Sequence, residues 1–387
     1  MAARTRNHLF AVLRAMVCLV ALWLVARGVT VHDVVTRVDG TKLRGEVQEA
    51  AETVTVVLAS GEQKQFPLAE VARESDGSPR IVYGLRTAWR TCRVGLLILA
   101  VLVHFPVGFL QAWRIQFLLA AQNIPMTYWE CVKLSFAGNF LNFATPLGSN
   151  AGDVFKAYFV SLHTSRKTEA VTTVVLDRVI GLGTLILVVA TITVLSPPGG
   201  RLGPFRNYLL TILVVGAAGT IAYFSTRVRR ILPRDSLRKL PGSAQLQRVD
   251  QAARTLAARK WIVAGCVLIT AALQAMAMGA YFVVARAMGL EAHAGNLLEY
   301  YAYFATGAVI QALPGPPQGL GTVELAYRYF LAPFGSPSQI VCFALAARLV
   351  VLVCALPGAL VAATGSYRPR ESGSELQPSA LPRNAAP

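Results

Sequence analysis

Two stretches of this chain resemble each other, and each is an apolar helix-like segment interrupted by proline and glycine. The first, GNFLNFATPLGSNAGDVFKAY, runs from Gly138 to Tyr158. The second, GAVIQALPGPPQGLGTVELAYRYF, runs from Gly307 to Phe330. Pro146 corresponds to Pro314, Gly148 to Gly315, Gly152 to Gly321 and Asp153 to Glu324. Proline removes a backbone N–H and stops a helix, so each interruption frees polar backbone groups. Within a bilayer such groups are tolerated only where protein or a polar cavity satisfies them. Interrupted segments at corresponding positions of two halves point to the binding site of a membrane transporter.

Composition agrees with a polytopic membrane chain. Apolar residues make up 54%, charged residues only 15%, and mean hydropathy is +0.50. The net charge of +17 is unevenly placed. Residues 30–93 carry nine Lys/Arg and nine Asp/Glu, whereas the rest carries twenty-eight basic residues against eleven acids. Positive charge flanking apolar runs follows the positive-inside rule and the anionic inner leaflet, not nucleic-acid binding. The six cysteines are scattered and form no CxxC or Cys/His cluster, so they read as small buried hydrophobes.

Along the chain, Leu9 to Val25 is an apolar run interrupted by Arg14. No clear small-residue cleavage site follows, which favours a retained anchor over 1–29 above a cleaved signal peptide. Residues 30–93 alternate polar and apolar in short stretches divided by Asp39-Gly40 and Ser60-Gly61, the pattern of a small β-rich domain of four or five strands. Apolar spans are expected at Val94–Trp113, Val171–Leu195, Tyr208–Phe224, Trp261–Ala285 and Ile340–Thr364. Tyr128–Thr145 with Asp153–His163, and Leu297–Leu313 with Thr322–Phe334, form the two broken hairpins. Thr226 to Lys260 carries ten basic residues against two acids and reads as a surface-lying amphipathic segment. The helical membrane region is thus expected over 94–366, and a polar tail over 367–387.

The charge bias makes the Thr226–Lys260 loop cytoplasmic. Counting spans in both directions puts both termini inside, the β-rich insert outside, and the two hairpins entering from opposite faces. The expected fold is an all-α polytopic bundle with two re-entrant hairpins in an inverted repeat, plus a small β-rich extracytoplasmic insert. Each hairpin read as two full spans gives the same sidedness.

The candidate binding residues gather around the breaks and in charged span positions. Asp177 and Arg178 lie within one apolar run and Arg348 within another; charges there usually face the bundle interior. Neighbours on a helix point about 100° apart, so Asp177 and Arg178 each need another partner. Arg178 and Arg348 are candidates to hold a phosphate, because guanidinium offers forked donors; an internal ion pair is the alternative. Asp153, Asp177 and Glu324 are the candidate counter-charges, although Asp153 and Glu324 also suit helix caps. Asn142, Lys156, Gln311, Gly148, Gly152, Pro314, Gly315 and Gly321 complete the set. His104, in an apolar run, reads as a satisfied core histidine. No HExxH, GxSxG, DxD or Rossmann pattern occurs, so no enzyme activity, cofactor or metal is expected.

With the hairpin segments, VVLDRVIGL (Val174–Leu182), LPGPPQGLGTVE (Leu313–Glu324) and Arg348 in view, residues from about Val94 to Thr364 resemble the lysylphosphatidylglycerol synthase transmembrane region family of flippase-like membrane proteins. The resemblance implies re-entrant inverted architecture and movement of anionic or aminoacylated phospholipids, or lipid-linked sugars, between leaflets. The soluble aminoacyl-transferase domain of the full synthases does not occur in the sequence, and the β-rich insert lies outside the common core. The expected function is lipid translocation in the cell membrane, the partner being a phospholipid or lipid-linked substrate. The rival is a non-transporting scaffold whose β-rich domain binds an envelope partner; a lipid-modifying transferase is a third reading.

Overall fold

A computed structural model describes residues 30–49, 53–58, 60–73, 79, 81–145, 151–164, 166–195, 201, 203–224, 251, 254–255, 258–293, 296–312 and 317–364, with Met16 and Trp23. The expected anchor, most of the basic loop and the tail lie outside the described residues, as do Pro146, Gly148, Pro314 and Gly315.

The N-terminal region forms a five-stranded antiparallel sheet: β1 Asp33–Thr36, β2 Lys42–Glu49, β3 Thr53–Leu58, β4 Gln63–Pro67 and β5 Ile81–Val82, in the order β4-β3-β2-β1-β5. Gly40 and Gly61 hold the tight turns with φ of +84° and +82°, a conformation that glycine adopts without strain. Alternation in TVTVVL sends Val54 and Val56 inward against Val35, Val47, Phe66 and Val71.

The sheet is clamped to the helices through Asp33. Its buried carboxylate accepts from the backbone N–H of Val47 at 3.0 Å, that of Gly84 at 2.7 Å and the Thr87 hydroxyl at 2.9 Å. Gly84 precedes the short helix α1 (Leu85–Arg90), which carries Thr87. Asp33→Ala is expected to leave two main-chain donors without partners, at about 1–3 kcal/mol each. Limited proteolysis should then cleave residues 30–84 faster than in wild type, while the membrane helices stay protected.

The membrane part consists of α2 (Val94–His104), α3 (Val107–Ala121), α4 (Tyr128–Ala144), α5 (Ala151–Leu162), α6 (Lys167–Leu195), α7 (Gly203–Phe224), α8 (Lys260–Ala287), α9 (Leu297–Ala312), α10 (Thr322–Phe330), α11 (Pro337–Ala355) and α12 (Pro357–Thr364). Among the described residues, four segments are long and apolar enough to cross a membrane: Val94–Ala121, Lys167–Leu195, Lys260–Ala287 and Pro337–Ala355. Their outer faces expose large apolar side chains, with Leu268 71% exposed and Leu102 65%. Such a surface is stable facing lipid, not water.

Two expected spans are not single helices. Val94–Trp113 breaks at Phe105-Pro106 and continues to Ala121, and Ile340–Thr364 breaks at Leu356-Pro357. The cause is the same in both: proline cannot donate the helical hydrogen bond, and its ring crowds the preceding turn. Capping boxes start α4 and α11. Thr127 and Glu130 exchange side-chain and main-chain hydrogen bonds at 3.4 and 2.7 Å. Ser336 and Gln339 do so at 3.2 and 2.8 Å.

Helices α4 and α5 form one hairpin and α9 and α10 the other, each packed antiparallel. Gly152 lies against Gly138 near the break of the first, and in the second Tyr303 stacks on Phe330 with ring centroids 5.1 Å apart, while Tyr327 packs on Gly307. Glycine permits both close approaches. A Cβ on Gly152 would stand 2.4 Å from the Gly138 carbonyl oxygen and 2.9 Å from Asn142 Oδ1, and one on Gly307 would meet the Tyr327 ring at 2.5 Å. Gly152→Ala is therefore expected to spread the first hairpin and destabilise the fold by about 1–3 kcal/mol. A lowered melting temperature in detergent is the readout, and an unchanged one would show that the α4–α5 contact is slack.

Candidate functional site

The ends of the two hairpins meet. Gln318, between the breaks of α9 and α10, donates from Nε2 to the Asn142 carbonyl oxygen at 2.9 Å and accepts from Gln311. It holds a left-handed backbone, with φ +54° and ψ +21°, which is uncommon for a residue with a side chain. Its own carbonyl accepts from Arg348 Nη1 at 3.0 Å. On the facing hairpin, Asn142 Oδ1 accepts from the Gly152 N–H at 2.7 Å. Asn142 thus ties the start of α5 back to α4, and Gln318 ties that hairpin to the other. One backbone acceptor at the first break, the Asn142 carbonyl, thus finds its partner in a side chain at the other.

Each hairpin presents an acid to an arginine on a following helix. Asp153 of α5 pairs with Arg178 of α6, Oδ2 to Nη1, at 3.2 Å. Glu324 of α10 pairs with Arg348 of α11, its Oε1 receiving Nε at 2.9 Å and Nη2 at 2.8 Å. Glu324 also caps its helix: Oε2 accepts from the N–H of Gly321, whose φ is +84°. The cap and the counter-charge, alternatives in sequence, coincide at Glu324. At Asp153 the ion pair with Arg178 is what the described residues show.

The two arginines line one cavity of about 260 Å³. Its polar wall comprises Gln111, Asn139, Asn142, Gln274, Gln311 and Gln318 together with Arg178 and Arg348, and its apolar wall includes Phe105, Phe136, Phe143, Met278 and Val351. No carboxylate is among the described lining residues. Asn139 donates to Gln111 at 2.9 Å, bridging α4 and α3. Both proline breaks border this space, through His104, Phe105 and Val107 at one and Cys354 and Ala355 at the other.

Asp177 lies elsewhere. Its carboxylate receives Arg114 Nε at 2.6 Å and Nη2 at 3.0 Å, a bidentate pair, and Arg114 Nη1 donates to the Thr270 hydroxyl at 3.0 Å. Both side chains are nearly buried, at 10% and 7% exposure. This arrangement joins α3, α6 and α8 and answers which partner Asp177 takes. Lys156 is also buried, its stem packed over Gly138, outside the cavity lining. Gly152 and Gly321 serve the backbone as described. His104 differs from the expected satisfied core histidine. It lines the cavity, and its Nδ1 is enclosed without a hydrogen-bond partner among the described residues.

Sequence reasoning did not single out Gln318, Arg114, Gln274 or Gln111. Gln318 lies within the Gly/Pro run itself, and Arg114 is a charge at the end of an apolar run. Those were the available signals.

The fold and these buried charges define a membrane-embedded helical protein with a polar interior cavity. Residues 82–358 match the family model of the lysylphosphatidylglycerol synthase TM region, and the chain belongs to that family. No curated protein sequence matches the chain.

Proposed function

We propose that the protein translocates an anionic phospholipid or a lipid-linked headgroup between leaflets, with the headgroup in the cavity and the acyl chains in the bilayer. The observation that carries this reading is the convergence of Arg178 and Arg348, one from each half, on a cavity with no carboxylate among its described lining residues. Arg178 contacts Asp153 through one nitrogen and keeps its other donors for an anion, whereas every Arg348 nitrogen is engaged and it offers only the second N–H of each Nη. A cavity of about 260 Å³ suits a headgroup, not a whole lipid. Family membership supports a lipid-related role.

In this reading the hairpins are re-entrant and inverted. The α9–α10 hairpin starts and ends near the sheet, since Glu291 N–H bonds the Phe334 carbonyl at 2.9 Å and Ser336 Oγ bonds the Tyr83 carbonyl at 3.1 Å. The α4–α5 hairpin starts and ends toward the opposite end, where Arg259 reaches the Ala120 carbonyl. The basic Thr226–Lys260 segment assigns that opposite end to the cytoplasm. With the six native cysteines replaced, an impermeant thiol reagent on intact cells is expected to label Ser60→Cys and not Ser243→Cys; the reverse pattern would invert the protein.

The direct test is reconstitution into liposomes with fluorescent phosphatidylglycerol and impermeant quenching of the outer leaflet. Protein-dependent loss of the protected inner pool is the expected result. Rates equal to those of empty liposomes across anionic, aminoacylated and sugar-linked lipids would leave the scaffold reading, in which the sheet binds an envelope partner.

A further inference from the structure

The cavity has polar lining besides the arginines and the residues of the hairpins. Gln274 and Tyr281 of α8 and His104 of α2 line it. Gln274 and Tyr281 are seven residues apart, two turns along one helix face. The His104 ring lies parallel to that of Tyr281, with centroids 6.3 Å apart and 6° between the planes, which fixes the imidazole in place.

Hydrogen-bonding capacity is unevenly used around the cavity. The amides of Asn139, Gln311 and Gln318 are engaged with Gln111, with Gln318 and with the Asn142 carbonyl. Neither ring nitrogen of His104, of which Nδ1 is enclosed, nor the Gln274 amide nor the Tyr281 hydroxyl makes a hydrogen bond to a described residue. Amide, phenol and neutral imidazole each donate and accept. Hydroxyl groups also do both, whereas an ammonium only donates. An ammonium would further meet two guanidiniums here and no carboxylate among the described lining residues.

We propose that Gln274, Tyr281 and His104 are specificity determinants that read the hydroxyls of an uncharged polyol, glycerol or a sugar, esterified to the bound phosphate. This rests on the phosphate reading of Arg178 and Arg348. A polar site built for hydroxyls rejects an analogue lacking them, because its own buried groups are then left unpaired.

The test compares short-chain phosphatidylglycerol with phosphatidylmethanol, a phosphodiester of the same charge without hydroxyls. Binding to the full-length protein in phosphatidylcholine nanodiscs is measured by calorimetry. Wild type is expected to bind phosphatidylglycerol about tenfold more tightly, the scale of one or two hydrogen bonds. Gln274→Leu and His104→Phe are each expected to bring phosphatidylglycerol down to the level of phosphatidylmethanol while leaving the latter unchanged; Tyr281→Phe supplies a milder variant that retains the ring stack. Equal affinity for both lipids in wild type, or variants that weaken both lipids alike, would overturn the polyol reading and leave the phosphate site standing. Binding of neither lipid would overturn both.

Discussion

Arg114→Ala is expected to remove most of the folded protein from the membrane. The substitution leaves Asp177 charged, buried and unpaired, and breaking one side of a buried ion pair costs about 3–5 kcal/mol. That is a large part of the total stability of a typical domain, about 5–15 kcal/mol. Thr270 also loses the guanidinium that donates to it. Replacing both partners, Arg114→Leu with Asp177→Leu, should restore a monodisperse protein by gel filtration, because no uncompensated charge remains. The double variant also decides the role of Asp177. Wild-type lipid translocation per folded molecule would assign it to the framework, whereas a folded but inactive double variant would return it to the binding machinery.

Arg348→Lys is expected to slow lipid translocation by about tenfold or more, the effect of losing a charge-assisted hydrogen bond. Arg348 makes three N–H contacts in fixed directions, two to Glu324 and one to the Gln318 carbonyl. A lysine ammonium is a point charge on a flexible stem and cannot reproduce that fork. Arg178→Lys is the cleaner probe of the anion itself. Arg178 contacts Asp153 through one nitrogen, and a lysine can keep that contact. Its melting temperature should therefore stay near wild type while translocation falls. Wild-type rates in both lysine variants would leave the phosphate role without support.

The span positions were legible because a run of about twenty apolar residues has few other fates. The hairpin helices were legible too, since their apolar periods stop at Pro and Gly. Asp177 shows where sequence reading ends. Its need for a partner followed from helix geometry, but Arg114 lies 63 residues away on another helix, and only packing selects it. The internal breaks at Pro106 and Pro357 were written in the sequence, yet the strong hydropathy around them reads as continuous helix. His104 was obscured because its neighbours in sequence are apolar, whereas the packed helices place it on the cavity lining. Gln318 is a polar residue in a loop by sequence, and only the meeting of two distant hairpins makes it a junction.

The attachment of the sheet has a mechanical consequence. Thr30 exchanges hydrogen bonds with Ser338, its N–H donating to Oγ at 3.2 Å and its carbonyl accepting from that hydroxyl at 3.3 Å, while Ser336 grips Tyr83. Both serines stand at the first turn of α11, and the same helix carries Arg348 ten residues later, about 15 Å along its axis. A helix over that distance is a stiff rod, not a tether. Any load that rocks the sheet tilts this rod, and the tilt arrives at the guanidinium as a sideways displacement. The sheet and the arginine are thus two ends of one lever.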